Sequence, residues 1–250
     1  MTITHNRANH IAWAIASVRS QSLTDWELII IDDASTDDTK AVVQEFLNQD
    51  QRIRYIKNEK NLGISNSRNL ALEKARGQFI AVLDSDDIWC YNEKLQKQYD
   101  FLSQNPEYVL VGGGVIQIDE QGVERKRYLN PCKDSTIRKK FLAKNPFAHS
   151  SVMYSRNLAL ELGGYKKELG IGEDYDLWLR MGKKGKLANL NDYLLKYRIH
   201  SDGTCFKDLI KALKNNIKII KKYRKDYPNY FFAFLRRWSR LLVGYIFLRK

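Results

Sequence analysis

Residues 79–89, FIAVLDSDDIW, pass directly from an apolar run into a cluster of carboxylates. The first five side chains are apolar, and such a run predicts a strand that is buried on both faces. Asp84, Asp86 and Asp87 follow at the C-terminal end of this strand, where open α/β sheets hold their ligands. Clustered carboxylates repel one another, and a divalent cation shared with phosphate oxygens relieves that repulsion. An isolated Asp-x-Asp is also typical of a simple turn.

Strands and helices alternate through the first 118 residues. The predicted strands lie at residues 27–33, 52–56, 79–83 and 108–118, and the predicted helices contain Ile11 to Val18 and span about 35–47, 65–75 and 93–103. Asn6 or Asn9 is expected to cap the first helix, and Ser35 the second. This alternation is typical of right-handed βαβ crossovers. We therefore expect an α/β fold with a Rossmann-like, mixed but mostly parallel sheet flanked by helices.

The second half alternates less regularly. We predict a hairpin turn at 119–122, helices at about 135–143, 155–162 and 173–180, and strands at 150–154 and 193–199. The polar, Pro-containing segment 126–134 is the best candidate for a boundary between two halves of this domain. Three glycines, Gly112 to Gly114, indicate that a ligand or another part of the chain comes close to the strand at 108–118.

The positive charge of the chain is concentrated in its last 45 residues. The whole sequence carries a net charge of +13, while residues 206–250 hold thirteen Lys and Arg against two Asp. Apolar and basic residues recur there at helical spacing on both sides of Pro228. This pattern predicts an amphipathic helical tail, with Trp and Phe on one side and arginines on the other, that contacts an anionic membrane surface. The alternative is a tail that packs on the preceding domain and exposes a basic face.

Other features of the sequence exclude several classes of protein. Three widely spaced cysteines, Cys90, Cys132 and Cys205, indicate neither a disulfide framework nor a zinc site and agree with a reducing cytoplasm. We see no signal peptide and no apolar run long enough for a membrane span. Nucleic acid is not expected as a partner, although basic charge alone does not separate RNA from lipid.

Five stretches, in order, carry a resemblance to a known family. They are Thr4-His5-Asn6-Arg7, ELIIIDDASTDD at 27–38, NLGISNSRN at 61–69, residues 79–89 with their DxD motif, and GEDYDLWLR at 172–180, and Tyr197-Arg198-Ile199-His200 adds a late motif. Over residues 1–205 the chain resembles the family 2 inverting glycosyltransferases of the GT-A fold. The resemblance implies a nucleotide-sugar-binding half at about 1–125 and an acceptor half at about 126–205, followed by the tail at 206–250.

The resemblance also implies which residues bind the nucleotide sugar. In this sequence they are Thr4, Asn6, Asp33, Arg68, Asp84 and Ser85. Asp33 would accept a hydrogen bond from the uracil N–H of a UDP-sugar, Arg68 would face the phosphates, and Ser85 would lie near the ribose. From the residues alone, Asp33 could instead cap the next helix, and Arg68 could be a solvated helix arginine.

The implied metal ligands are Asp86 and His200, with Asp84 in support, and the expected cofactor is Mn²⁺ or Mg²⁺. A lone His is otherwise structural or exposed, and His149 is expected to be structural. Asp174 is the implied catalytic base, because transfer with inversion needs a carboxylate that takes the proton of the acceptor hydroxyl. The start of a helix favours the ionised form of such a carboxylate.

One departure from the family concerns the first strand. Only Met1, Thr2 and Ile3 precede the first motif, where the family normally has a longer apolar run. This predicts either a truncated or late-annotated start, or a shortened strand. In the GT-A fold that strand lies in the middle of the sheet and forms part of the uridine pocket.

Together these observations predict a metal-dependent inverting glycosyltransferase. Its donor would be a nucleotide sugar, most simply UDP-linked, and its acceptor a lipid-linked or cell-surface glycan at the cytoplasmic face of the membrane. One alternative is a catalytically impaired, truncated pseudo-glycosyltransferase that acts as a membrane-associated partner. Another is a sugar-phosphate nucleotidyltransferase, which would need a Gly-rich basic loop near the N-terminus. A dinucleotide oxidoreductase is disfavoured, since no GxGxxG follows the first strand.

Overall fold

Three parallel strands form the N-terminal part of the structure. A computed structural model describes residues 1–199 and 208–248, with side chains through residue 246. Strands β1 (Thr2–Thr4), β2 (Leu28–Asp32) and β3 (Ile53–Lys57) lie side by side in that order, and helices α1 (Ala8–Arg19), α2 (Thr39–Leu47) and α3 (Ile64–Lys74) follow them in turn. β2 is buried over its whole length, as its run of Leu and Ile predicts.

A second, mixed sheet contains the remaining described strands. These are β4 (Phe79–Ala81), β5 (Ile88–Trp89), β6 (Tyr108–Ile118), β7 (Glu124–Tyr128), β8 (Met153–Ser155) and β9 (Lys186–Arg198). Their order is β4-β8-β6-β9-β5, with β7 beside β6. β6 and β9 pair in parallel, and the other described neighbours pair antiparallel. The mixed sheet agrees with the prediction, and the hairpin turn at 119–122 joins β6 to β7.

Backbone hydrogen bonds join the two sheets beside β1. The Met1 ammonium donates to the Ala81 carbonyl at 2.6 Å, and Leu83 N–H donates to the Met1 carbonyl at 3.1 Å. β1 therefore lies in the middle of the sheet, as the resemblance implied. The chain leaves the sheet directly after Leu83, and this is where the acidic loop begins.

The close approach predicted at the glycines of β6 is made by side chains of β9. A Cβ on Gly112 would lie 2.3 Å from Asn189 Oδ1, and a Cβ on Gly113 would lie 2.4 Å from Leu194 Cδ1. β9 begins at Lys186, seven residues before the predicted start. The missed part pairs with β6 through two register shifts, so its side chains do not alternate as regular strands do.

Four helices complete the part of the fold that precedes the tail: α4 (Lys94–Gln104), α5 (Asp134–Phe141), α6 (Arg156–Glu161) and α7 (Glu173–Gly182). α7 buries Leu177, Trp178 and Met181. These apolar side chains fix the helix in the core and leave its first turn at the C-terminal edge of the parallel strands.

The predicted helix caps are wrong at both N-terminal helices. Neither Asn6 nor Asn9 caps α1; instead, the Asp37 carboxylate accepts from Ala8 N–H at 3.1 Å and from Thr39 N–H at 3.0 Å, so it serves both α1 and α2. Ser35 does not cap α2, because its hydroxyl accepts from Asn6 N–H at 2.9 Å. Capping rules weigh only the nearest residues, whereas the acceptor for α1 comes from the loop between β2 and α2.

The tail forms helices α8 (Leu209–Lys222) and α9 (Tyr230–Leu248) that pack on the preceding domain. The Tyr223 hydroxyl donates to Asp176 Oδ1 at 2.7 Å, and the Arg237 Nε donates to the Leu142 carbonyl at 2.7 Å. In the predicted tail the arginines share one side of the helix, but Arg237 is buried against the domain, which accepts it because its charge is hydrogen-bonded. Within the described ranges, no helix is both long and apolar enough to cross a bilayer.

Candidate functional site

A cavity of about 820 Å³ lies at the C-terminal edge of the parallel strands. All the described residues that the sequence predicted for the site line it, namely Thr4, Asn6, Asp33, Arg68, Asp84, Ser85, Asp86 and Asp174. The predicted ligand His200 lies outside the described residues. Residues separated by more than 160 positions are thus brought to one cavity, at the place where sheets of this kind hold ligands.

Asp33 follows β2 and holds the loop that precedes α3. Its carboxylate accepts hydrogen bonds from Asn58 Nδ2 at 2.8 Å, Leu62 N–H at 2.9 Å and Gly63 N–H at 2.9 Å. Burial would raise the pKa of Asp33, but the hydrogen bonds outweigh burial and lower it. Asp33 therefore does not cap α2, and it presents an ionised carboxylate at the cavity wall.

Arg68 joins the first half of the chain to the second. Its guanidinium is 7% exposed, donates to Glu173 and lies 3.1 Å from Asp84 Oδ1 and 3.2 Å from His149 Nδ1. The prediction left open a solvated helix arginine, and the structure instead buries this side chain between carboxylates. A buried charge is tolerated when it is paired in this way.

The charges in this cluster determine one another's ionisation. Burial would raise the pKa of Asp84, but His149 and Arg68 outweigh it and hold that pKa well below its usual range. Burial raises the pKa of Glu173, an effect that Arg68 opposes and Asp174 reinforces. The pKa of Arg68 is raised, since Asp84 and Glu173 outweigh the effect of its burial. Asp84 is therefore a fixed negative charge at this wall of the cavity.

The acidic loop itself is held by β9. Arg198 N–H donates to Asp87 Oδ1 at 2.9 Å, and its guanidinium donates to the carbonyls of Asp86 and Glu120 at 3.1 and 2.8 Å. The Asp86 carboxylate lies 3.7 Å from the Arg7 guanidinium. Burial and the charges of Asp86 and Asp84 raise the pKa of Asp87 well above its usual value. Arg198 thus fixes the backbone that carries Asp86.

The donors at this loop fit a divalent cation that is shared with a substrate. Among the described residues, no three His, Cys, Asp or Glu side chains form a cluster that could hold a metal alone. Arg68 and His149 contact Asp84, and Arg7 lies near the Asp86 carboxylate. Mg²⁺ often takes one or two carboxylates and completes its shell with water and phosphate oxygens, and this donor set fits such an ion.

Asp174 lies in the first turn of α7, which begins after Gly172 at a positive φ of 91°. Its carboxylate accepts a long hydrogen bond of 3.4 Å from Asn145 Nδ2. Glu173, the preceding residue, points to Arg68 instead. Neighbouring acids of α7 therefore have different surroundings, one paired with a buried arginine and the other facing the cavity with weak contacts.

Three further predicted residues, Thr4, Asn6 and Ser85, line the cavity. The Asn6 Oδ1 accepts from Thr36 N–H at 2.8 Å, and Ser85 is buried at the cavity wall. The Thr4 hydroxyl is buried without a hydrogen-bond partner among the described residues.

The sequence interpretation missed two residues that shape the cavity. His149 contacts Asp84 at 3.3 Å and the Tyr165 hydroxyl at 3.2 Å, and its ring packs on Trp178. The prediction had treated it as structural because it stands in no recognisable motif. Arg198 belongs to the late motif, in which the sequence interpretation assigned a role to His200 alone. The structure shows that Arg198 holds the acidic loop. This role follows from the pairing of β5 with β9, which brings Arg198 beside the acidic loop.

Comparison with known proteins adds independent findings. The family model described as glycosyl transferase family 2 matches residues 1–163. The amylovoran biosynthesis glycosyltransferase AmsE of Erwinia amylovora is 34% identical over 198 residues, which are 78% of this chain and 73% of AmsE. An uncharacterized glycosyltransferase of Methanocaldococcus jannaschii is 31% identical over 241 residues, 94% of this chain and 82% of the relative.

Solved structures show the same fold. S. aureus TarS 1-349 in complex with UDP superposes with a TM-score of 0.65 at 19% identity, over 88% of this chain and 64% of that one. The mannosyltransferase PcManGT from Pyrobaculum calidifontis, in complex with GDP-Man and Mn²⁺, superposes with a TM-score of 0.70 at 18% identity, over 96% of this chain and 68% of that one. At these identities the likeness concerns the fold alone.

Proposed function

Since this chain belongs to glycosyl transferase family 2 and is a glycosyltransferase, we propose that it moves a sugar from a UDP-linked donor to a lipid-linked or cell-surface glycan acceptor with inversion. The observation that carries the proposal is the convergence of the eight described site residues on one cavity. Structural neighbours are complexes with UDP, UDP-GlcNAc and GDP-Man, and the relative AmsE is an amylovoran biosynthesis glycosyltransferase. These likenesses support a nucleotide-sugar donor and a polysaccharide product.

In the proposed mechanism the donor binds to groups that are already fixed. The ionised Asp33 accepts the uracil N–H, the buried Arg68 supplies positive charge towards the phosphates, and Ser85 lies near the ribose. Asp86, with His200 as a second candidate ligand, would hold Mn²⁺ or Mg²⁺, whose charge stabilises the departing diphosphate when it is bound. Arg198 keeps the backbone of this loop in place while charge develops at the leaving group.

Asp174 is the proposed base. It accepts the proton of the acceptor hydroxyl as that oxygen attacks the anomeric carbon, and the bond to the UDP oxygen breaks on the opposite side of the sugar. Neither alternative, a non-catalytic partner or a nucleotidyltransferase, is favoured by membership of this family.

Thermal unfolding with UDP, with Mn²⁺ and with both tests the donor site. At about one hundred times the dissociation constant, binding adds roughly 2.7 kcal/mol, which for a domain of this size raises Tm by roughly 5 to 10 °C. Asp86→Ala should lose the metal-dependent part of the shift, and Asp25→Ala, an exposed Asp outside the cavity, should keep it. A shift with GDP and none with UDP would change the donor class. No shift with any nucleotide would contradict the proposal.

We also propose a cytoplasmic enzyme that is peripheral on the inner face of the cell membrane and contacts it through residues 206–250. The net positive charge of this segment supports the proposal, because each Lys or Arg near an anionic leaflet contributes about 1 kcal/mol of attraction. Fractionation of cells that express the full chain, with and without a high-salt wash, tests the location.

A further inference from the structure

Helix α9 exposes a continuous apolar face, which we call the outer face of α9. It includes Phe231, Phe232, Leu235, Trp238, Leu242 and Ile246, whose exposed fractions range from 41% to 73%. Residues 231, 235, 238 and 242 recur at helical spacing and share one side of the helix. A soluble surface rarely exposes so many large apolar side chains together, and such patches mark contact sites.

The outer face cannot turn inward, because the opposite side of α9 is fixed to the domain. Arg237 is 6% exposed and donates to the Leu142 carbonyl at 2.7 Å and to the Tyr175 hydroxyl at 3.1 Å. Ala233 and Leu241 are buried on the same side. Packing on the domain therefore accounts for the inner side of α9, and it does not account for the apolar residues of the outer face.

A group of four cations, which we call the cation cluster, borders this face. Lys126, Lys144, Arg236 and Arg240 are all exposed, and the Arg237 contact with Leu142 brings α9 against the segment that carries Lys144. Burial lowers the pKa of Lys144, and the charges of Arg236, Lys126 and Arg240 lower it further. None of the four forms an ion pair with a carboxylate of the described residues.

The cation cluster also adjoins the cavity. Lys144 Nζ lies 5.1 Å from the centre of the Tyr128 ring, and Tyr128 lines the cavity. The next residue, Asn145, donates to the Asp174 carboxylate. A negative group bound to the cluster would therefore lie near the acceptor end of the cavity.

We propose that the outer face of α9 lies in the headgroup region of an anionic bilayer and that the cation cluster binds lipid phosphates there. Aromatic and aliphatic side chains bordered by Arg and Lys are typical of helices that lie in this interface. A consequence that rests on the proposed function is that a phosphate-bearing lipid acceptor would meet Asp174 from the membrane side.

A second copy of the chain is the main competing occupant of the face, and charge disfavours it. A two-fold interface places the same patch on both subunits. Two cation clusters would then lie in the same interface and repel each other. An anionic bilayer supplies both the apolar layer and the negative charge.

Sedimentation of the full chain with vesicles tests this proposal. Vesicles of phosphatidylcholine are compared with vesicles of equal parts phosphatidylcholine and phosphatidylglycerol, at low and high salt, with inorganic phosphate as a soluble competitor. We expect salt-sensitive binding to the anionic vesicles only. Lys144→Ala/Arg236→Ala/Arg240→Ala should weaken it by roughly 100-fold, about fivefold for each charge.

Two matched variants separate charge from apolar contact. Leu235→Gln/Leu242→Gln removes apolar area from exposed helix positions, where the fold tolerates polar residues, and should weaken binding by more than tenfold. Lys40→Ala/Lys74→Ala removes exposed charges from α2 and α3 and should leave binding unchanged. Equal binding to neutral vesicles, or unchanged binding by the triple variant, would overturn the role of the cluster.

Light scattering tests whether a second copy of the chain, rather than a membrane, covers the outer face of α9. A dimer that becomes monomeric in Leu235→Gln/Leu242→Gln, in a chain that ignores vesicles, would assign the face to a second copy. Stabilisation by UDP and Mn²⁺ is measured on the same samples without vesicles. If that stabilisation persists while vesicle binding fails, only the membrane inference is lost; if the nucleotide has no effect while vesicles bind, only the proposed donor chemistry is lost.

Discussion

Two walls of the cavity are built in different ways. On the side that we propose for the donor, the donor side, Asp33, Arg68 and Asp84 each have at least two protein partners: three N–H groups reach Asp33, and Arg68 is held between Asp84 and Glu173. On the side that we propose for the acceptor, the acceptor side, Asp174 and residues 170–172 line the cavity, and the contacts of Asp174 are few. Among the residues that the structure describes, Asp174 has a single hydrogen bond, of 3.4 Å, from Asn145.

This difference teaches that the protein fixes one wall and leaves the other adaptable. Groups that are held before a ligand arrives cost no ordering when it binds. A wall with few internal bonds can adjust to an extended acceptor, but it contributes less to the free energy of unfolding. Changes to the donor side should therefore alter folding and nucleotide binding together, and changes to the acceptor side should alter turnover with little effect on folding.

Asp174→Asn gives the largest expected effect and the sharpest test of this contrast. A general base contributes about 10²- to 10⁴-fold to rate, so transfer should fall by roughly that factor while UDP binding and Tm stay close to those of the wild type. Steady-state rates with donor and acceptor, beside calorimetric melting, measure both. Full activity in Asp174→Asn would place the base elsewhere, and a large fall in Tm would show that the acceptor side is not loosely held.

Arg68→Met should produce the largest loss of stability. Breaking a buried ion pair by removing one partner costs about 3–5 kcal/mol, and it also removes the positive charge from the donor side. Urea unfolding measures the free energy of unfolding, with Arg76→Met, at an exposed arginine, as the matched control. Arg68→Met/Glu173→Met should recover part of the loss, since no unpaired buried carboxylate remains at residue 173. Equal stability of Arg68→Met and the control would contradict the buried bridge.

Asp33→Asn should have a moderate effect that depends on pH. The amide keeps the shape but cannot accept all three hydrogen bonds, at a cost of about 1–3 kcal/mol. Because the folded-state pKa of Asp33 is lowered, the ionised group stabilises the fold above the unfolded-state pKa of about 3.9, and this contribution is lost as pH falls below it. The stability gap between wild type and Asp33→Asn should narrow below about pH 4. A gap that widens in acid would contradict the lowered pKa.

Asn215→Ala should have the smallest effect and act on the acceptor side alone. Asn215 of α8 donates to the carbonyls of Leu169 and Ile171 at 2.7 and 3.4 Å and so anchors the loop before α7. Loss of these bonds costs about 0.5–1.5 kcal/mol each, and we expect a severalfold higher KM for the acceptor with an unchanged KM for the donor. Lys218→Ala, at an exposed position of the same helix, is the control. A change in donor KM would show that α8 acts on both walls.

The sequence predicted the strands and loops on the donor side well because each of these elements is local. The run of residues 79–83, the strand at 108–118 and the acids that follow β2 are read from neighbours in the chain, and the solved relatives confirm the GT-A fold. The placement of eight site residues around one cavity agrees with the residues proposed for the site, whose individual roles remain predictions.

The parts that could not be predicted depend on contacts between distant segments. Asp37 caps two helices because folding brings Ala8 beside it, and His149 reaches Asp84 from 65 residues away. The inward Arg237 follows the same logic, since only the docked helix α9 supplies the Leu142 carbonyl. Helical periodicity places residues on faces of a helix, and it does not tell which face the domain covers.

The hydrogen bonds from Arg198 to the acidic loop have a consequence for folding during synthesis. Asp86 and Arg198 are separated by 112 positions, and β6 finds its parallel partner β9 about 80 residues later. Contacts of such long range form late and slow the search for the native state. On the ribosome, the first half of the protein would emerge long before Arg198 does. Nucleotide binding should thus begin only when synthesis has passed β9, so that binding of the donor reports that β9 has joined the sheet.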